Sequence, residues 1–194
     1  MSADVPQGFA APSFEAEDDT DVRLAQLPRD GWVRGMFMQE VVDEARSRGV
    51  LLNHDFTAFH KYPLSEFLRL LQEGAKRIFP DRSFSRALYS LGSLSYPNFA
   101  KSMAGRALFA VAGTDFRRVL ELAGRGYAVT VHPGDVSVRF VGERSARVHM
   151  RHIWAFPATY QVGVLSGAMR ATNVQGDVFI RENGLDDVEL FIRW

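Results

Sequence analysis

The stretch Phe156–Trp194, FPATYQVGVLSGAMRATNVQGDVFIRENGLDDVELFIRW, decides the fold. Pro157 suits the first position of a helix, where its missing N–H would be unpaired in any case. Tyr160, Val164 and Ala168 then recur on one helical face, with Val162, Leu165 and Met169 beside them. Gly163 and Gly167 leave a bare stripe on this helix, where another element can pack closely or a partner can meet it. Asn173 and Gly176 break the helix. Val178 and Ile180 alternate with Phe179 and Arg181, Asn183-Gly184 is expected to supply the positive-φ residues of a turn, and Val188–Trp194 returns as a strand. The chain therefore closes on a helix followed by a hairpin.

Working back from this stretch, the period of the apolar residues is 2 as far as Tyr127. Ala128–His132 reads as one strand, turned by Pro133-Gly134. Val136, Val138 and Phe140 alternate with Ser137 and Arg139 in a second. After a loop over Gly142–Ser145, Val148, Met150, His152 and Trp154 alternate with Arg147, His149 and Arg151 in a third. Before Tyr127 the period is helical. Met36, Val41 or Val42, and Ala45 mark a helix that Gly49 stops. Pro63 opens a second, with Phe67, Leu70, Leu71, Ala75 and Ile78 inward, ending at Phe79-Pro80. Ser83 caps a third that ends at Gly92. A fourth is expected over Phe99–Val111, with a thin face of Ala104, Gly105, Ala107 and Ala110. A fifth runs from Thr114 or Asp115 until Gly124 and Gly126 stop it. Helices over 31–123 and an antiparallel sheet over 127–194, with one helix before the last two strands, make the class α+β.

Residues 1–28 stand apart from this single domain of 29–194. Asp4, Glu15, Glu17, Asp18, Asp19 and Asp21 precede the first basic residue, Arg23. A segment so poor in apolar surface does not offset its ordering entropy, so a disordered, solvated tail is expected, with Phe9 and Phe14 as candidate anchors for a partner or for the domain's own surface. The formal net charge is zero, which argues against nucleic acid or an anionic membrane as partner. The absence of cysteine removes disulfides, thiolate metal sites and cysteine nucleophiles together. The N-terminus does not read as a secretory leader, and no apolar run approaches the roughly 18 residues of a membrane span, so a cytoplasmic protein is expected.

The residues Tyr62-Pro63, Phe67-Leu68, Phe79-Pro80, Ala87, Leu91-Gly92, Gly105-Arg106, Gly163 and Trp194 carry a resemblance. Over Tyr62–Trp194 the chain resembles a myxobacterial paralogous family of unknown function. Its order of elements is similar to the superfamily of H-NOX sensors, 4-vinyl-reductase-type ligand-binding domains and small TRAPP subunits, which implies a helical part packed on an antiparallel sheet. The resemblance carries no activity to transfer. Haem-binding H-NOX domains need a proximal His on the helix before the sheet and a Tyr-x-Ser-x-Arg motif. Here Leu120–Tyr127 contains no His, and Asp135-Val136-Ser137-Val138-Arg139 has Asp where Tyr belongs. The cysteines through which vinyl-reductase-type relatives bind metal are absent as well.

No catalytic or metal-binding constellation emerges. His149 and His152, three apart on a strand, face opposite sides of the sheet, and His54 and His60 do not share a helical face. Gly-x-Ser-x-Gly and phosphate-binding glycine loops are missing, and Ser166 lies inside the apolar helix as a small packing residue. Arg139, Arg144, Arg147, His149 and Arg151 are the one local basic concentration, and Arg139, Arg147, His149 and Arg151 could meet a carboxylate, a phosphate or an acidic partner. A solvated face of a half-buried sheet accounts for the same residues. Met150, His152 and Trp154, on the other face, either pack against helices or line a ligand cavity.

These readings point to a non-catalytic regulatory or scaffold module that acts through protein contacts, with no cofactor and with a homodimer as its simplest assembly. A small apolar ligand between helices and sheet fits the same fold. The alternative is a ligand-gated sensor proper, holding an aromatic small molecule or haem.

Overall fold

The computed structural model describes residues 4–15, 19–101, 106, 113 and 115–194, the side chains of 98–101 excepted. The class is α+β, with helices first and the antiparallel sheet afterwards. The helices are α1 (Thr20–Gln26), α2 (Gly35–Ser47), α3 (Leu64–Ile78), α4 (Phe84–Lys101), α5 (Phe116–Ala128) and α6 (Val162–Ala171), the last entered through a π-helical turn, Pro157–Gln161. Three short strands, β1 (Trp32–Arg34), β2 (Lys61–Pro63) and β3 (Val131–His132), form a small sheet in the order β2-β1-β3. The main sheet has β4 (Asp135–Gly142), β5 (Ser145–Arg151), β6 (Asp177–Glu182) and β7 (Val188–Arg193), in the order β4-β5-β7-β6 and antiparallel throughout.

Two apolar cores result. One joins α2 and α3 with the start of α4 and takes in Trp154, Phe156 and Tyr160. The other lies between the inner face of the main sheet (Val148, Met150, Ile180, Leu190, Ile192) and α5 and α6. Tyr127 packs against both, at the seam between them. Asp115 caps α5 by accepting from the Arg117 N–H at 2.9 Å, one of the two capping residues expected there.

The glycine stripe of α6 is buried, and α4 is what buries it. A Cβ on Gly163 would collide with the Tyr89 carbonyl, and one on Gly167 would lie 2.5 Å from Ser93 O. Gly92 on α4 is the reciprocal bare position, set against the Tyr160 carbonyl. This corrects two expectations. Gly92 does not end its helix: α4 runs through it and through Pro97 to Lys101, because the glycine is there for close approach. The stripe is likewise used up inside the chain and is not a surface for a partner. Pro97 has no N–H to give the Ser93 carbonyl, and the Arg170 Nη2 on α6 donates to that oxygen at 2.9 Å instead.

Four further differences have local causes. α5 continues past Gly124, whose missing Cβ lets the helix pass the Val136 carbonyl, so the strand expected from Ala128 shrinks to Val131–His132. β5 ends at Arg151, because His152 takes φ 57° and turns the chain out of the sheet. The β6–β7 loop is longer than a two-residue turn. Asn183 and Gly184 both donate their N–H to Asp187 O, at 3.0 and 3.1 Å, and neither adopts positive φ. Within the segment expected to be a disordered tail, Asp19 caps α1, Arg23 donates to the Leu185 carbonyl, Phe9 and Ala10 lie against the outer face and edge of the main sheet, and Phe14 packs against Tyr89 of α4. The helix expected over 99–111 falls, beyond the end of α4 and apart from Arg106, outside the described residues.

Candidate functional site

A cavity of about 310 Å³ lies where the two cores meet. α2 contributes Met36 and Phe37, α3 Phe67, and α4 Ser95 and Tyr96. The face of α5 that carries Val119, Leu120, Ala123 and Tyr127 forms the opposite wall. Tyr160, Gln161, Val164, Leu165 and Ala168 come from the π turn and α6, and Val136 and Met150 from the sheet. The walls are mainly hydrocarbon, and Val129, 64% exposed, stands at the rim. An apolar space of this size with a few placed polar groups is the general form of a small-molecule site.

Its polar groups are hydroxyls and one side-chain amide, that of Gln161. Ser95 Oγ and Tyr160 Oη share a hydrogen bond of 2.9 Å. The Tyr160 ring meets Phe67 edge-on at 6.0 Å, which fixes its plane. Burial pushes the phenols of Tyr96, Tyr127 and Tyr160 well above their ordinary range, and Tyr160 raises Tyr127 further. On Tyr160 the Ser95 hydrogen bond opposes that rise, and Glu40 adds to it. These phenols are neutral hydrogen-bonding groups at physiological pH. Glu40 follows Met36 and Phe37 by one helical turn on α2, its Oε2 sealed from solvent without a hydrogen-bond partner. Burial, and then Asp43, raise its carboxyl well above the ordinary value.

Of the three residues considered for a cavity, Met150 lies in the wall. His152 is turned outward and faces Asp186 at 3.2 Å, and Trp154 is buried in the helical core. Arg139, Arg147, His149 and Arg151 do share one face of the main sheet. Arg139 pairs in register with Arg147, His149 stands opposite Glu189, and Arg151 stands opposite Asp135. That face is the outer one, away from the cavity. His149 pairs with Asp187 at 3.0 Å and Arg151 with Asp135. The tyrosines are the missed signal: in the sequence Tyr127 only marks the change of period and Tyr160 only shares a helical face with Val164 and Ala168. Among the described residues, none of the five histidines and no lysine or arginine lines the cavity.

Residues 27–194 match the family described as "Protein of unknown function (DUF2378)", and the chain belongs to it. No curated protein matches the sequence. Among solved structures, the fold is similar to the Fe(II) unliganded H-NOX protein from K. algicida. The TM-score is 0.63 at 16% identity, over 82% of this chain and 95% of that one. It is also similar to an H-NOX protein from S. oneidensis in the Fe(II)NO ligation state, with a TM-score of 0.60 at 12% identity, over 82% of this chain and 98% of that one. At such identities the likeness is one of fold.

Proposed function

We propose that this chain is a non-catalytic, sensor-type regulatory module. A small, mainly apolar molecule with one hydrogen-bonding group occupies the cavity between helices and sheet, and the bound state is read by a protein partner. The cavity itself carries this reading: apolar walls surround the Ser95–Tyr160 hydroxyl pair and the Tyr127 phenol. Neutral phenols and a serine hydroxyl can orient a carbonyl, hydroxyl or ring N–H, and none of them is a base strong enough to begin a reaction.

Haem, the group held by the H-NOX proteins, does not fit these residues. The wall contributed by α5 offers Leu120, Ala123 and Tyr127 in place of an imidazole. A tyrosine ligates iron as phenolate, and burial keeps these phenols protonated. Among the described residues, no cationic side chain lines the cavity to receive propionates. An organic ligand suits the site and an iron porphyrin does not.

Indole, flat and apolar with a single N–H, is a suitable probe. Its titration by calorimetry into the full chain should show saturable binding that Val164→Trp, which fills the cavity, abolishes. Native mass spectrometry of the purified protein should reveal a retained organic molecule, and the absorption spectrum should lack a Soret band. An empty protein whose unfolding is unmoved by indole, 1-naphthol and phenethyl alcohol would refute the reading.

A further inference from the structure

We infer that the outer face of the main sheet is a docking groove for an extended, acidic, phenylalanine-bearing segment of a partner protein, and that residues 4–15 fill it in cis as a displaceable strap. Arg139, Arg147, Phe191 and Phe179 stand in one cross-strand row on that face. Phe191 points away from the core and is nevertheless only 1% exposed. Phe9 is what covers it. The Phe9 ring meets Phe191 edge-on at 6.3 Å, with the guanidinium of Arg147 5.6 Å and that of Arg181 5.1 Å from its centre. An aromatic ring between two guanidinium groups is a built receptor for phenylalanine.

The main chain adds a strand-like contact. Ala10 N donates to Ile180 O at 2.9 Å, and Ile180 N donates to Ala10 O at 2.8 Å, at the edge strand β6. This is the chemistry by which an extended peptide adds to a sheet edge, the backbone giving affinity and alternate side-chain pockets giving specificity. The contact is also short. Beyond that one bridge, the far end of the strap is held by Phe14, whose ring centre lies 4.5 Å from that of Tyr89 and whose carbonyl accepts from Ser83 Oγ at 2.9 Å. Two aromatic anchors and one bridge make an attachment that a competing segment can replace.

Charge and location point the same way. The strap carries Asp4 and Glu15 and no basic residue, and the groove carries Arg139 and Arg147, with Arg181 and Arg193 held by Glu189 and Asp177 beside them. A hollow between Asp4, Pro6, Arg139, Val141, Arg147 and Phe191 extends the groove beyond what the strap fills. Every groove residue lies inside the family match of 27–194, and the strap lies outside it.

The test uses a fluorescein-labelled peptide with the sequence of residues 4–15 and the full chain. The peptide should bind the Phe9→Ala, Phe14→Ala variant at least tenfold more tightly than the wild type, whose groove is filled. Adding Arg147→Glu and Arg139→Glu should abolish that binding, and raised salt should weaken it. A folded Phe9→Ala, Phe14→Ala chain that fails to bind the peptide would overturn the groove. Equal binding to the wild type would overturn the cis occupancy, as would a wild-type dimer in sedimentation that exchanges straps. Hydrogen exchange on the wild type needs no variant to fold. The Ile180 amide should exchange at least a hundredfold faster than that of Leu190 in the neighbouring strand β7, and equal protection would overturn displaceability.

Discussion

Gly167→Ala isolates the contact between α4 and α6, because the same substitution at Gly126 provides its mirror image. In a helix interior, alanine is favoured over glycine by about 0.8–1.0 kcal/mol where the added methyl meets nothing. Gly126, in α5, is such a position: among the described residues, nothing beyond its own stretch of helix lies within 4 Å of its would-be Cβ. At Gly167 the new methyl would lie 2.5 Å from Ser93 O and 3.2 Å from Pro97 Cδ, where ordinary contact begins at 3.4 Å. The helices would have to part by roughly 0.9 Å, and close-packed interiors resist such a shift. Separation also stretches the Arg170–Ser93 hydrogen bond. Overpacking typically costs about 1–3 kcal/mol, so the net effect at Gly167 is a loss of up to about 2 kcal/mol after the helix preference is credited. For a chain of this length each kcal/mol moves Tm by about 2–4 °C. Thermal melts followed by circular dichroism should show Gly126→Ala rising by one such increment and Gly167→Ala falling by up to two. Gly167→Leu should fall further, toward the upper end of the overpacking range. A Gly167→Ala chain that gains stability like Gly126→Ala would show that the helices do not meet there.

Three shorter expectations follow from single contacts. Arg170→Met keeps the aliphatic stem but leaves the Ser93 carbonyl without its donor, so urea unfolding should report a loss of about 1.5–3 kcal/mol. An unchanged midpoint would mean that water serves that carbonyl equally well. Asp115→Ala removes the cap of α5 and should cost about 1 kcal/mol, which Asp115→Asn should largely restore. Glu40→Gln tests the buried carboxyl. The folded state holds its proton, so the stability linked to Glu40 is fully present below the ordinary value of 4.5 and is lost as pH rises through the elevated folded value. Glutamine escapes that loss. The variant should exceed the wild type at pH 8 by a margin that vanishes near pH 4.5, and a pH-independent difference would place Glu40 in water.

Periodicity made the order of elements legible, because the apolar stripes of α3 and α5 and the alternation in β4–β7 each answer to one buried face. What it could not convey was where residues that break local rules find compensation. Gly92 and Pro97 look like helix ends when only neighbours in sequence are considered. Their compensation comes from α6, some seventy residues later, through bare glycines and the Arg170 guanidinium. The strap is the same lesson in reverse. Its composition signals disorder, yet Phe9 finds two arginines and a phenylalanine assembled by three strands of the sheet. The cavity was hardest to foresee. It is an absence of atoms between α5 and α6, and its tyrosines are indistinguishable in a sequence from ordinary core.

The seam between α4 and α6 also sets the mechanics of that cavity. Where backbone lies on backbone, no side chain can rotate to absorb a displacement, so the two helices move as one stiff plate. Ser95, Tyr96, Tyr160, Val164, Leu165 and Ala168 all ride on it or on the turn that leads into α6. A guest larger than the resting space therefore pushes on the walls that do not ride on this plate, those of α2, α3 and α5. Of these, α5 lies against β4 and feeds β3, so strain on it reaches the small sheet.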